Sequence, residues 1–326
     1  MAVDDRRGAV DGVEWRLADT SSPTVAASLA GADAVVHVAC ADDLEAALGV
    51  DGGLRRSRAV RAAQAVLTAS AALGVAHAVV VTSAMVYGAR PGGPVPVPEG
   101  AALGAEPDDG LVGDLLEVED VAARAVRAYP GMRVSVVRPA ALVGPGVDTV
   151  VTRHFEAPRL LTLRESQMLW QFCHVDDLGR AVAVVLREGL AGPVTVGSSG
   201  AMSQTAVEAV SGMRHVELPT GLAVATAERL HRVGVLPMPA GDLSYVVNPW
   251  VVSSSTLRSC GWEPLLDNET CLGVLLSEVT GRRALASRRV ERRDAALGAA
   301  GAAVAVVGTA AVWRQARSRR RRPGRS

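Results

Sequence analysis

Short apolar runs alternate with longer stretches of helical spacing through the first half of the chain. Ala34-Val35-Val36-His37-Val38-Ala39 reads as a β-strand, and Val79-Val80-Val81-Thr82-Ser83 reads as a second. A third run, Val134-Ser135-Val136-Val137, ends at a Pro/Gly turn. Residues 58–73 carry Ala, Val and Leu at helical spacing, and residues 111–128 repeat that pattern. Apolar runs without polar alternation mark strands covered on both faces, and helices of this length between them mark parallel crossovers. The pattern predicts an α/β fold with a doubly wound, Rossmann-like parallel sheet.

The rhythm weakens from about residue 145. Residues 146–170 and 200–280 read as a smaller lobe of mixed helix and loop. Between them Asp176 to Glu188 forms a good amphipathic pattern, with Asp176 and Asp177 at the positive end of the helix dipole. Gly92 to Pro98 is proline-rich and reads as a surface loop.

Composition narrows the chemistry. The chain has 326 residues, 49% of them hydrophobic, enough for a sizeable core and against disorder as the state of the body. With five Trp, three Tyr and two Phe, that core must be mainly aliphatic. All 34 basic residues are arginine, so chemistry that needs a tunable ammonium group is excluded. Cys40, Cys173, Cys260 and Cys271 form no C-x-x-C pair and match no zinc template. They read as reduced thiols, and no metal site is expected. Met1 to Val10 is charged and lacks an apolar stretch, so the body is expected to face the cytoplasm.

The net charge of zero hides an asymmetry. Residues 282–326 carry 13 Arg against Glu291 and Asp294, a charge of +11, leaving −11 on the rest. Within that tail, 295–313 is a stretch of 19 uncharged residues ending at Trp313, between an Arg-rich linker at 281–294 and an Arg-rich tail at 314–326. It just reaches the length of a transmembrane helix, so a tail anchor at the inner face of the cell membrane is expected. A helix lying on anionic lipid is the alternative. Nucleic acid is not an expected partner, because the body is acidic and no aromatics are interleaved with the arginines.

Several segments, in order, resemble the NAD-dependent epimerase/dehydratase family of extended short-chain dehydrogenases. Val79 to Gly88 (VVVTSAMVYG) looks like the signature of its fifth strand, which places Ser83 where a serine polarises the substrate hydroxyl. Residues 32–39 resemble the fourth strand, whose end, at Ala39, lies beside the cofactor. Asp19 matches an acidic residue near the adenine. Residues 134–146 resemble the sixth strand with its Arg138-Pro139 exit near the nicotinamide, and 172–186 the segment linking the lobes. The resemblance implies NAD or NADP as cofactor, a nucleotide-sugar-like substrate, and a homodimer built on 58–73 and 111–128. It also implies a division into a Rossmann-like domain at 1–145, to which 171–198 returns, and a substrate-type lobe at 146–280.

Two departures from the family matter as much. Its glycine-rich phosphate loop, with the strand before it and the helix after it, does not occur here. Met1 to Asp5 resembles the end of the family's second strand, so that Asp4 or Asp5 would be the ribose-binding acid. The expectation is a mis-assigned start, with about 30–40 residues of a βαβ unit missing. Unpaired edges would then be left in the middle of the sheet. The second departure is in the catalytic helix. Alignment through Glu119 puts Leu111 at the family's tyrosine and Leu115 at its lysine, and leucine supplies neither function.

Each candidate has a plainer reading beside it. Ser83 could equally bond the strand-end backbone. Asp114, on the helix that should carry the tyrosine, could replace the base if it points inward, or could belong to a solvated acidic face with Glu117 and Glu119. Arg138 could reach a substrate phosphate or form a structural ion pair at a strand end. His37 and His174 read as hydrogen-bonded core histidines. Three functions stay open. They are epimerase or oxidoreductase chemistry on a nucleotide-linked sugar, a catalytically inactive dinucleotide-binding sensor or scaffold, and a membrane-tethered interaction protein.

Overall fold

The computed structural model describes residues 1–39, 44–164, 166–219, 223, 225–229 and 240–290. Its centre is a four-stranded parallel sheet in the order β10 (Gly192–Val196), β5 (Arg133–Pro139), β4 (His77–Val81) and β3 (Ala34–Val38). All five residues of β4 are buried, as a strand inside a parallel sheet requires. Successive side chains alternate between two cores. Ala78 and Val80 pack with Leu67 of α3 (Gly52–Ala72) and Val118 of α4 (Leu111–Ala128). Val79 and Val81 join Ala181 and Val185 of α6 (Val175–Glu188) on the other face. Burying each valine contributes about 2 kcal/mol.

The helices start and stop for local reasons. Asp51 caps α3 by accepting the Leu54 N–H at 3.0 Å. The His174 ring Nδ1 accepts the Asp176 N–H at 3.2 Å to open α6, and Gly189 closes that helix in the left-handed region at φ 60°. His174 is thus buried and hydrogen-bonded, as the sequence suggests, and its further role is to cap the helix.

The sheet is interrupted on one side. β1 (Ala2–Asp4) and β2 (Trp15–Leu17) pair in parallel as a separate two-stranded sheet. Val3 of β1 and Val35 of β3 share one apolar cluster with α1 (Val25–Leu29) and α3, yet no ladder joins the two strands. The unpaired edge of β3 leaves Val36 41% and Val38 59% exposed. Among the described residues no strand pairs with this edge of β3, in line with the expectation of unpaired edges inside the sheet.

The second half contains short strands. β6 (Ala141–Val143) pairs with β9 (Phe172–His174), β7 (Leu160–Leu163) with β12 (His215–Leu218), and β8 (Leu169–Trp170) with β11 (Met202–Ser203). Four of them, β7, β8, β11 and β12, lie where the sequence suggested helix and loop. Runs of two to four residues are too short for an alternation to show. Three aromatics cluster here: Phe155 of α5 (Val150–Glu156) meets Trp170 edge-on at 5.1 Å, and Trp170 stacks on Phe172 at 6.4 Å. The C-terminal helix Asn268–Val290 closes this region, with Asn268 accepting the Phe172 N–H at 2.9 Å and Arg282 donating to Glu156 at 2.9 Å. One apolar core runs without a break from Val79 and Val137 to Trp250 and Leu272.

A carboxylate ties the two halves at another point. Glu99 accepts hydrogen bonds from the N–H and hydroxyl of Thr195, at 3.1 and 2.9 Å, and from Ser255 and the N–H of Thr256, both at 3.0 Å. The Thr256 hydroxyl also donates to it. Among the described residues no helix is long and apolar enough to cross a membrane, and the stretch 295–313 lies outside them.

Candidate active site

The carboxyl ends of β3, β4 and β5 open into one cleft of about 160 Å³. Crevices at such strand ends are where open α/β sheets bind ligands. Ala39 follows β3 into the cleft, Thr82 and Ser83 follow β4, and Ala140 follows β5. Leu111 and Leu115, one helical turn apart on α4, form an apolar wall with Trp250. Asp114, Asp148 and Asp242 supply its carboxylates, and Arg55 its guanidinium.

Ser83 is extended, at φ −158° and ψ 148°, and its Oγ accepts the Met85 N–H at 3.2 Å to cap a short 3-10 turn at Ala84–Tyr87. That is the backbone role foreseen for it, at a residue that lines the cleft. Behind it lies a buried polar network. Thr82 donates to Glu119 at 2.7 Å, and Glu119 takes Arg138 through Nε at 3.0 Å and Nη2 at 2.5 Å. Arg138 also donates to the Tyr87 hydroxyl at 2.8 Å, which itself donates to the Glu99 carbonyl at 2.5 Å. Burial pushes the Tyr87 phenol above its ordinary range. Of the two readings of Arg138, the structure shows the ion pair: its guanidinium is committed inward. Pro139 stays in the β5 ladder opposite Val196, and neither residue lines the cleft.

Asp114 does point inward, but both its oxygens are taken. Arg55 Nε lies 2.5 Å from one and Arg56 Nε 3.0 Å from the other. The two arginines also reach the carbonyls of Asp109 and Asp108 at the start of α4. Close packing there explains Gly113, where an added Cβ would lie 2.0 Å from the Asp108 carbonyl oxygen. Asp148 is likewise held by both arms of Arg153 at 2.7 Å. Asp4 accepts the Arg6 N–H at 3.0 Å, and Asp19 accepts the N–H and hydroxyl of Ser21 at 2.8 and 2.7 Å. Those bonds hold the Asp19 carboxyl below its ordinary value. Neither residue lines the cleft.

Asp242 escaped the sequence analysis. It comes from the turn Ala240–Leu243, is 1% exposed, and among the described residues its Oδ2 has no hydrogen-bond partner. The carboxylate packs over Gly110, with Oδ1 and Oδ2 3.1 and 3.3 Å from where a Cβ would stand and the Asp108 Oδ1 2.9 Å from the same point. Burial first, then the negative charge of Asp108, pushes the Asp242 carboxyl up to about 7, against the pull of Arg55. Nothing in Gly241-Asp242-Leu243 marks it in the sequence, and the charges that act on it, Asp108, Arg55 and Asp114, lie more than a hundred residues away.

A nicotinamide dinucleotide needs backbone N–H groups at a helix start to cradle its pyrophosphate. Among the described residues, α3 borders the cleft but the Leu54 N–H in its first turn is taken by Asp51, and no strand lies between β1 and β3. The described residues offer the ring end a wall at Ala39, Ser83 and Ala140, and no phosphate cradle is found among them. Also among the described residues, no group of three or more His, Cys, Asp or Glu side chains is placed to hold a metal ion.

A parallel sheet with a cleft at the carboxyl ends of its strands defines a Rossmann-like α/β fold. The pattern of the NAD dependent epimerase/dehydratase family matches residues 3–197, and the chain belongs to that family. Uncharacterised proteins of Mycobacterium tuberculosis and Mycobacterium bovis are each 26% identical over 255 residues, covering 77% of this chain and 67% of theirs. Among solved structures, a UDP-galactose 4-epimerase is similar with a TM-score of 0.58 at 18% identity, covering 82% of this chain and 84% of its own. MoeE5 in complex with UDP-glucuronic acid and NAD gives 0.62 at 20%, covering 86% and 90%. The dTDP-glucose 4,6-dehydratase DesIV of Streptomyces venezuelae, with NAD bound, gives 0.62 at 18%, covering 85% and 82%. These likenesses show the fold.

Proposed function

We propose that this chain binds a nucleotide-sugar-type ligand in the cleft and performs no tyrosine-dependent proton transfer there. The observation that carries the reading is the wall formed by Leu111 and Leu115. Both face the cleft from the positions where the family resemblance expects tyrosine and lysine. The acid offered as a substitute, Asp114, is neutralised by two arginines. Structures of similar fold hold UDP-glucose or UDP-glucuronic acid together with NAD, which supports a nucleotide sugar as the ligand class.

Calorimetric titration with UDP-glucose, alone and beside NAD or NADP, tests this, with nicotinamide absorbance followed in the same samples. Saturable binding of UDP-glucose without turnover is expected. A complete lack of binding would refute the reading. Turnover would favour the second reading, epimerase or oxidoreductase chemistry with another group in the tyrosine's place. One observation speaks for it: Asp242, whose carboxyl burial pushes up to about 7, lines the same cleft.

A further inference from the structure

The polar side chains around the cleft are turned to the protein rather than to a ligand. Arg55 donates through Nε to Asp114 at 2.5 Å and through Nη2 to the Asp109 carbonyl at 2.7 Å, and Arg56 takes the other Asp114 oxygen. Asp148 is gripped by both arms of Arg153. Thr82 donates to Glu119. Ser83 and Thr149 each cap a short helix by accepting a backbone N–H, from Met85 at 3.2 Å and from Thr152 at 3.3 Å. Asp242 is 1% exposed and packs over Gly110 beside Asp108. Trp250 donates its indole N–H to the Tyr245 carbonyl at 2.8 Å.

What is left for a ligand to touch is mostly carbon. Leu111 and Leu115 of α4 stand beside Met85, Leu142, Val151 and Trp250, and the surface that the lining presents is mainly apolar. A hydroxyl or a charge that enters such a space gives up its water and meets groups that are already paired, which disfavours it. A hydrocarbon group gives up nothing of the kind and gains from leaving water. The space also has a definite size. The cleft measures about 160 Å³, and an apolar cavity of about 150 Å³ holds a benzene ring.

We propose that the cleft is a binding site for an uncharged, hydroxyl-free apolar group about the size of a six-carbon ring, selected by Leu111, Leu115 and Trp250. The inference goes beyond the sugar reading and does not depend on it. It specifies the chemistry of the part of the ligand that meets these walls, whatever carries that part. A nucleotide sugar meets the requirement best with a deoxygenated or alkyl-bearing edge. Leu111 and Leu115 thereby become specificity-determining residues, which favour carbon at the positions where the family resemblance expects a phenol and an ammonium group.

The test uses two uncharged six-carbon rings, benzene and myo-inositol, which carries a hydroxyl on every carbon. Each is titrated into the full chain and followed by ligand-observed NMR. Benzene is expected to bind with a Kd of about 1 mM, and myo-inositol about tenfold more weakly or not at all. Two variants locate the site. Ala59→Leu brings a larger side chain into the cleft from α3, where leucine suits the helix, and should weaken benzene about tenfold or more. Leu111→Asn puts an amide into the wall at similar size and should weaken benzene about fourfold. An unfolding curve on each sample shows that the fold is kept. A wild type that does not bind benzene, or that binds myo-inositol as tightly, overturns the apolar site. Benzene binding left unchanged by either variant overturns it too, because the ring would then sit elsewhere. UDP-glucose titrated into the same samples keeps the two readings apart. Its failure to bind overturns the sugar reading and leaves the apolar site standing, and the failure of benzene does the reverse.

Discussion

Replacing Asp242 with asparagine changes the charge of one buried group and little of its shape. In the folded protein the carboxyl is held at about 7, whereas an unfolded aspartate titrates near 4. Between those values the folded state keeps a proton that the unfolded state has released, so wild-type stability falls as pH rises from about 4 to about 7. The separation of the two values sets a ceiling of about 4 kcal/mol on that loss. The dipole at the start of α4 favours the ionised form and lowers the actual figure. Asparagine does not titrate. The variant should therefore gain on the wild type across this window, by a sizeable fraction of a typical net stability of about 5–15 kcal/mol. Urea unfolding of both proteins at a series of pH values measures the difference directly. A gap that stays constant from the acid end to about pH 8 would show that the carboxyl is solvated in the fold, and the burial argument would fall with it.

Other residues make simpler demands. Arg138→Ala strands Glu119 in the core and should cost about 3–5 kcal/mol in urea unfolding, whereas an arginine used for ligand phosphate would be cheap to remove. Gly113→Ala drives a methyl into the Asp108 carbonyl and should cost about 1–3 kcal/mol by thermal unfolding. Val38→Thr, on the open edge of β3, should change stability by less than about 0.5 kcal/mol. The same substitution at Val79, which is fully buried, should cost about 1–3 kcal/mol, and equal effects at the two sites would contradict the interrupted sheet.

What could be read from the sequence follows the length of the signal. α4 occupies 111–128, the limits its periodicity indicated, because eighteen residues give the apolar stripe several turns to declare itself. β4 was legible for the opposite reason: a strand buried on both faces is one unbroken apolar run. The interrupted sheet followed from a spaced motif, the glycine loop with its strand, which the residues before β2 do not show. Arg138 illustrates the limit. Its choice between ligand and ion pair depends on Glu119, which reaches it only once a helix has folded back over the strand. Asp242 lies further beyond reach, since its oddity is the lack of a partner, and that is a property of three-dimensional surroundings alone.

The knot at Glu99 bears on how the molecule comes to exist at all. A ribosome delivers chains from the N-terminus, and early portions collapse before late ones emerge. Glu99 finds Thr195 only after some hundred further residues, and Ser255 and Thr256 later still. Until then its carboxylate is solvated, and β5 lacks the neighbour that β10 will provide. Such distant closures slow folding, because chain entropy must be given up before the contacts form. The nascent protein therefore spends much of its synthesis with valine-rich strand edges bare, and is at its most vulnerable to association with other unfinished chains shortly before its last third arrives.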